Sequence, residues 1–154
     1  MFKKLCHHLS DKKLSLFFIE SASAGYLSYK FSLSPFSGDI LKGGLVCYDL
    51  KIKEKFLKIP PNIIKKHTAE SKKVTQKLIS YSKKKFNADI YISCTGLLKP
   101  GGSENNKKPV GTFFYCIYYN NKIYSYKKIY KGKPEKKLRK LLNDICNHLI
   151  KITQ

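Results

Sequence analysis

The sequence predicts an α/β protein, a three-layer α/β/α sandwich around a mixed five-stranded sheet. Compact apolar runs, typical of buried strands, alternate with stretches in which apolar residues recur at helical spacing. The last two predicted strands form a hairpin, which makes the sheet mixed rather than all parallel. The 154 residues have the size of one ordinary domain, so we expect a single domain over residues 1–154.

The first half of the chain contains two predicted strands and the helices around them. Residues 14–19 form a compact apolar run typical of a buried strand, and residues 44–48 form a second one. Residues 5–9 and 24–33 have apolar side chains at helical spacing. A short helix is expected at residues 51–57, and a proline pair ends it.

The second half contains three strands and two longer helices. Residues 69–86 form a predicted helix, and residues 90–94 the third strand. Residues 111–119 and 122–130 form a hairpin, because the two asparagines between them tolerate the positive φ of a tight turn. Residues 134–150 form the closing helix, which begins at a proline.

The charge of the chain limits the classes of binding partner that we expect. The formal net charge is +21, but Arg139 is the single arginine among 31 Lys and Arg residues. Proteins that recognise phosphates and bases depend on arginine for bidentate contacts. The lysines are also spread along the chain, so nucleic acid is not the expected primary partner. The charge should still attract small phosphorylated substrates.

The spacing of the cysteines and the N-terminal sequence indicate the cellular compartment of the protein. Five cysteines lie at wide spacing with no C-x-x-C pair, which predicts buried thiols rather than a disulfide framework or a metal site. No apolar run reaches the roughly 20 residues that a bilayer requires. The N-terminus lacks the apolar segment of a signal peptide. We therefore expect a cytoplasmic protein without a membrane partner.

Three loops that follow strand ends contain the candidate chemistry, because ligands of α/β sheets bind at the carboxyl ends of strands. In the first loop, Ser21 or Ser23 either caps the next helix or acts beside its N-terminal amides, and the local sequence favours the cap. In the second, Tyr48 ends a strand and Lys53 lies near a helix start, where the helix dipole lowers the pKa of a lysine and suits it to act as a base. A solvated lysine is the simpler interpretation. The third loop, residues 95–109, is rich in glycine, which allows either close backbone approach to a ligand or simple flexibility.

Taken together, these segments resemble the CinA C-terminal-domain family. Residues 20–25 resemble the family pattern E-S-x-T-G-G, and residues 43–53 resemble G-G-x-x-x-Y-x-x-x-x-K. Residues 67–71, 95–102 and 108–112 resemble H-x-A-x-S, T-G-x-x-x-P-G-G and K-P-V-G-T. Each pattern alone has little specificity, but together, in the family's order and spacing over most of the chain, they are specific.

The resemblance implies an amidohydrolase that converts nicotinamide mononucleotide to nicotinate mononucleotide and ammonia without a metal or an organic cofactor. The family's catalytic serine falls on Ser21, its lysine on Lys53 and its site tyrosine on Tyr48. The serine hydroxyl would attack the amide carbon and a neutral lysine would accept its proton, with amides near Ala22 and Ser23 as an oxyanion hole. Many relatives carry a further N-terminal domain that resembles molybdopterin-binding proteins, and the length of this chain predicts the stand-alone form.

The resemblance also implies the residues that contact the substrate. The expected substrate-binding residues are Ser23, Gly25, Thr95, Gly96, Gly101, Gly102, Lys133 and Arg139. Ser23 and Ala24 stand where the family pattern has threonine and glycine. Lys133 stands where the family has the arginine of a G-D-R segment, and lysine lacks the bidentate fork of arginine. Arg139 matches a later arginine of the family.

These departures leave alternatives open. One is a catalytically impaired nucleotide-binding accessory protein that binds its ligand without turnover. A nucleic-acid-associated protein is a third hypothesis, suggested by the charge alone. A homodimer through the tyrosine-rich hairpin, residues 113–130, is set against the simpler interpretation that these tyrosines cover the sheet.

Overall fold

The computed structural model describes residues 1–154 as a mixed five-stranded sheet with helices on both faces. The strands are β1 (Leu16–Glu20), β2 (Leu41–Val46), β3 (Ile90–Gly96), β4 (Thr112–Tyr119) and β5 (Lys122–Ile129). The helices are α1 (Phe2–Asp11), α2 (Tyr26–Ser32), α3 (Ser37–Ile40), α4 (Pro61–His67), α5 (Lys72–Ser82) and α6 (Pro134–Ile152). A π-helical turn, Ile52–Phe56, connects β2 to α4. None of the helices combines the length and the apolar character that crossing a membrane requires.

The strand order places three parallel strand ends side by side. The order is β2-β1-β3-β4-β5, with β1 parallel to both β2 and β3, and with β4 and β5 antiparallel. At the carboxyl end, Glu20 of β1 is in register with Val46 of β2 and with Cys94 of β3. The predicted fold class and the mixed sheet are confirmed. The loops that leave these three strands therefore meet at one edge of the sheet.

The sheet separates two hydrophobic cores. On one face, Phe18 and Ile92 pack with α1, α2 and α6 in a cluster of 21 buried residues. On the other face, Phe17 and Ile19 pack with α4, α5 and the segment after the π-helical turn in a cluster of 11. Successive residues of β1 alternate between the two cores, as the two-residue period of a strand requires. A central strand buried on both faces explains the uninterrupted apolar run.

The elements follow the predicted order, with differences at their ends. The second strand lies at Leu41–Val46 rather than at residues 44–48, so Tyr48 lies beyond the strand. The helix α5 is shorter than the predicted 69–86, because the Ser71 hydroxyl accepts the Val74 N–H and fixes the start of the helix at Lys72. A short helix, α3, occupies the connection before β2.

The hairpin between β4 and β5 has the predicted turn. Asn120 and Asn121 have φ values of 48° and 61°, as a two-residue turn of this kind requires. Tyr115 is fully buried, and Tyr124 and Tyr126 pack against the larger core. The hairpin tyrosines thus cover the sheet of their own chain, and the homodimer stays a prediction.

All five cysteines are free and buried, as predicted. Burial raises the pKa of the Cys47 thiol to about 11 and that of the Cys94 thiol to about 12. Both thiols lie at the strand ends where the three loops meet. They are therefore protonated at neutral pH and poor nucleophiles.

Two glycines with positive φ differ in the room around them. At Gly111, which has a φ of 96°, an added Cβ would lie 2.2 Å from the Tyr130 carbonyl oxygen and would clash with it. At Gly101, which has a φ of 102°, an added Cβ would have no atom within 4 Å. We expect Gly111→Ala to lower the free energy of unfolding by about 3 kcal/mol, from backbone strain and overpacking together. Gly101→Ala, with strain alone, should cost about 1 kcal/mol. Urea denaturation measures the free energy of unfolding of both variants. Equal losses of stability would contradict the predicted clash at Gly111.

Candidate active site

A cleft opens where the three parallel strands end. Ser21 follows β1, Tyr48 lies two residues beyond β2, and Gly96 ends β3. The cleft has a volume of about 210 Å³. It is lined by Ser21, Ala22, Tyr48, Glu70 and residues 96–102. The cleft therefore brings together five of the residues expected from the sequence: Ser21, Tyr48, Gly96, Gly101 and Gly102.

The loop after β1 is built around the buried carboxylate of Glu20, which has no exposed surface. Its Oε2 accepts the Ser23 hydroxyl at 2.7 Å and the N–H groups of Gly25 and Leu27 at 3.0 Å each. Its Oε1 accepts the N–H of Ser28 at 2.7 Å and the hydroxyl of the same residue at 2.6 Å. A carboxylate that accepts free amides of a first helical turn is well stabilised there. Glu20, rather than a serine, thus caps α2, and both Ser23 and Gly25 are committed to this network.

The same loop leaves two groups available to a ligand. The Ser21 N–H donates to the Cys94 carbonyl at 3.1 Å, but the Ser21 hydroxyl forms no hydrogen bond within the protein. The Ala22 N–H likewise donates to no protein acceptor, and Ala22 lines the cleft. The Ser23 N–H instead faces the Cys94 thiol. A hydroxyl and one free amide are thus adjacent at the cleft, and the expected oxyanion hole is reduced to Ala22.

Lys53 lies in the π-helical turn with a side chain that is only 2% exposed. Its Nζ donates to the Tyr48 carbonyl at 3.1 Å, so the ammonium group lies behind a residue of the cleft wall. Burial lowers the pKa of Lys53, and the nearby acidic groups, Cys47 and Glu70 first among them, oppose the shift. The sequence predicted that the helix dipole lowers this pKa, whereas the structure attributes the lowering to burial. A lysine of this kind holds its proton less firmly and suits proton transfer.

A network around Lys108 joins two walls of the cleft. The Lys108 Nζ donates to the hydroxyls of Thr68 and Ser103, at 2.7 and 2.6 Å, and to the Glu70 carbonyl at 3.0 Å. The Ser103 hydroxyl in turn donates to Glu70 Oε2. These bonds tie the glycine-rich loop to the connection between α4 and α5. Sequence reasoning missed Glu70 and Lys108, although both stand inside motifs that carried the resemblance.

The glycine pair of the third loop is already occupied. The N–H groups of Gly101 and Gly102 each donate to the Glu104 carboxylate at 2.8 Å, one to each oxygen. The Gly101 N–H, ahead of the other groups around it, lowers the pKa of the Glu104 carboxyl. Paired backbone amides of this kind form a small anion site. The expected contact of these N–H groups with the phosphate or the ribose of a substrate therefore requires Glu104 to move.

The remaining expected contacts do not line the cleft. Thr95 is fully buried, and its hydroxyl bonds to the Thr75 hydroxyl at 2.8 Å. Lys133, directly before α6, and Arg139, on α6, are both exposed. The cation of α6 that reaches the cleft wall is Lys137, a buried residue that donates to the Leu98 carbonyl at 2.9 Å.

The helical spacing of α6 predicts that the Lys137 side chain lies on the inner face of the helix. Lys137 stands four residues before Leu141 and eight before Ile145, two fully buried residues on the inner face of α6. A lysine in line with them points inward. The histidines, cysteines and acids of the chain form no group of three that could hold a metal ion.

The chain matches a family profile described as the CinA C-terminal domain over residues 1–152. The chain belongs to this family. A CinA-like protein of Prochlorococcus marinus subsp. pastoris is 32% identical over 144 residues, and one of Prochlorococcus marinus strain MIT 9515 is 30% identical over 150. The alignments cover 92% and 96% of this CinA domain but 33% and 34% of those two proteins. The chain thus spans about a third of the length of the curated relatives it matches.

Solved structures share the fold of this CinA domain. A competence or damage-inducible protein of Enterobacter asburiae superposes with a TM-score of 0.90 at 22% identity, covering 99% of this chain and 95% of that one. A CinA superfamily protein of Escherichia coli superposes with a TM-score of 0.89 at 21% identity, covering 99% and 90%. At these identities the likeness shows the architecture and leaves the chemistry of the cleft to its own residues.

The burial of Lys53 predicts a pH-dependent stability. Because the folded-state pKa lies below the ordinary value of 10.5, the unfolded chain binds this proton more tightly, so the contribution of Lys53 to stability rises as the pH increases through the folded pKa towards 10.5. Lys53→Met should therefore be more stable than the wild type by about 1 kcal/mol near neutral pH. The difference should shrink in urea titrations at about pH 10. Lys51→Met, at an exposed position, is the control and should show no such trend.

The occupied glycine pair predicts a gain of anion binding. In Glu104→Ala, the N–H groups of Gly101 and Gly102 lose their carboxylate acceptor and a nearby negative charge. We expect the affinity for inorganic phosphate, measured by calorimetry, to rise several-fold over the wild type. Glu135→Ala, which removes an exposed acid from the first turn of α6, controls for the change in net charge. An equal gain in both variants would refute a specific site.

Proposed function

We propose that this CinA domain is an amidohydrolase that converts nicotinamide mononucleotide to nicotinate mononucleotide and ammonia, with Ser21 as the nucleophile and Lys53 as the general base. The observation that carries the proposal is the unbonded Ser21 hydroxyl beside the free Ala22 N–H in the cleft. The buried lysine behind Tyr48 supplies a base with a lowered pKa. The family resemblance supports the same assignment of roles.

In the proposed reaction, the Ser21 oxygen attacks the carboxamide carbon while its proton passes to neutral Lys53. The carbonyl oxygen becomes an oxyanion, which the Ala22 N–H stabilises. Collapse of this intermediate breaks the carbon–nitrogen bond, and the lysine returns its proton to the departing ammonia. Water then hydrolyses the ester on Ser21, with Lys53 again as the base, and releases the carboxylic acid.

The exposed ring of Tyr48 gives the substrate a surface to lie on. The side chain is 60% exposed and lines the cleft, while its carbonyl holds Lys53. An aromatic face attracts a positively charged ring such as pyridinium. Lys99, which also lines the cleft, and Lys137, which donates to the Leu98 carbonyl in its wall, are candidate basic groups for the substrate phosphate. We assign the reaction to the cytoplasm, because free buried thiols suit a reducing compartment.

The second candidate is a nucleotide-binding protein without turnover. The observations that favour it are the Glu104 carboxylate on the glycine pair and the exposed positions of Lys133 and Arg139. Because Lys133 and Arg139 do not line the cleft and Glu104 occupies the glycine pair, the expected phosphate site is not assembled. Such a protein binds nicotinamide mononucleotide but releases no ammonia.

Ammonia release from nicotinamide mononucleotide tests the proposal. Ser21→Ala removes the nucleophile and Lys53→Ala removes the base, so each should lower kcat by about 1000-fold or more. Lys51→Ala, an exposed lysine two residues from Lys53, should keep wild-type turnover. Near-normal turnover in Ser21→Ala would exclude the serine mechanism, and binding without turnover in the wild type would favour the second candidate.

A further inference from the structure

Glu70 is an acidic side chain in the wall of a cleft that belongs to a strongly basic protein. It lines the cleft together with Ser21 and Tyr48, and it lies directly before Ser71, the residue that caps α5. The chain has 10 acidic residues against 31 basic ones. A carboxylate at this position opposes the attraction of the whole molecule for phosphates. Its presence in the same cleft as Ser21 therefore favours a ligand that carries a positive charge.

The contacts of Glu70 fix the carboxylate and leave one oxygen free. Oε2 accepts the Ser103 hydroxyl, and Ser103 itself accepts a bond from the Lys108 ammonium at 2.6 Å. Oε1 receives no hydrogen bond from the protein. The half-buried carboxylate is thus anchored from behind by a serine and a lysine, with one acceptor left for an incoming group.

Two lysines interact with the charge of Glu70 and determine how much of this charge remains uncompensated in the cleft. Lys108 compensates it from the anchored side, through Ser103. Lys53 interacts with it from behind the wall at Tyr48, but Lys53 has to be neutral to accept a proton from the serine. In the reactive state the charge of Glu70 is therefore balanced on one side only. A cation in the cleft would balance the other side.

We propose that Glu70 is a specificity-determining residue that selects substrates in which the reacting amide is attached to a positively charged ring, such as a pyridinium. This inference rests on the proposed function and names the feature of the substrate that the cleft recognises. A pyridinium ring whose carboxamide lies at Ser21 has its charged nitrogen within one ring width, inside a cleft of about 210 Å³. The Coulomb attraction acts over this range without direct contact.

A matched pair of ligands isolates the charge of the ring. Nicotinamide mononucleotide and its reduced dihydro form carry the same ribose, phosphate and carboxamide, but the ring is cationic in the first and neutral in the second. Calorimetry in the Ser21→Ala background measures the dissociation constants without turnover. We expect the cationic form to bind about two- to fivefold more tightly, as for one charge pair near a surface. Adding Glu70→Gln should reduce this preference to near one.

Two further variants control for charge and folding. Glu135→Gln removes an exposed acid at the start of α6 and should keep the preference for the cationic form. Ser103→Ala keeps the Glu70 charge but removes its anchor, so the preference should persist in this variant even if Glu70→Gln folds poorly. Circular dichroism and urea midpoints monitor the fold of each variant.

The outcomes separate this inference from the proposed function. A preference that survives Glu70→Gln overturns it, and so does an equal loss of affinity for both forms, which would assign Glu70 to the ribose. Failure to bind either form also overturns it. If the wild type releases no ammonia but shows a Glu70-dependent preference, the proposed function fails and the inference stands. If the wild type releases ammonia but its preference for the cationic form does not depend on Glu70, the proposed function stands and this inference fails.

Discussion

The cleft depends on the solvation of one buried carboxylate, that of Glu20. A charge without exposed surface is very unfavourable unless hydrogen-bond donors surround it. Here the donors come from the hydroxyls of Ser23 and Ser28 and from the first amides of α2. Satisfying Glu20 forces the chain to turn tightly after β1, and this turn leaves the hydroxyl of Ser21 and the N–H of Ala22 without partners. The two groups that we propose to react are thus left free by the capping of a helix.

The same buried charge affects the other nucleophiles nearby. Burial first, and the negative charge of Glu20 in addition, raise the pKa values of Cys47 and Cys94 to about 11 and about 12. The Cys94 thiol lies below the loop, 3.0 Å from the Ser23 hydroxyl. Neither thiol lines the cleft, and neither ionises at neutral pH. The hydroxyl of Ser21, rather than either thiol, is therefore the candidate nucleophile at this edge of the sheet.

Local patterns predicted the elements, and parallel strand ends predicted the meeting of Ser21 with Tyr48, because both depend on spacing along the chain. The occupied glycine pair was not predicted, because only side-chain geometry shows that the Glu104 carboxylate turns back onto its own loop. Glu70 and Lys108 are 38 residues apart and meet only in the folded chain. Lys133 and Arg139 were placed by analogy, whereas the inner face of α6, marked by Leu141, would have selected Lys137.

Electrostatics in this CinA domain act on two length scales with opposite signs. The net charge of +21 produces a positive field that draws phosphorylated molecules from a distance. Within the cleft, the Glu70 carboxylate and the Glu104 carboxylate on the glycine pair repel the phosphate that the field attracts. A ligand with a cationic ring and an anionic tail would satisfy both, with its ring in the field of Glu70 and its tail towards Lys99. The proposed substrate has this distribution of charge, so an acidic wall would orient this substrate and would not exclude it.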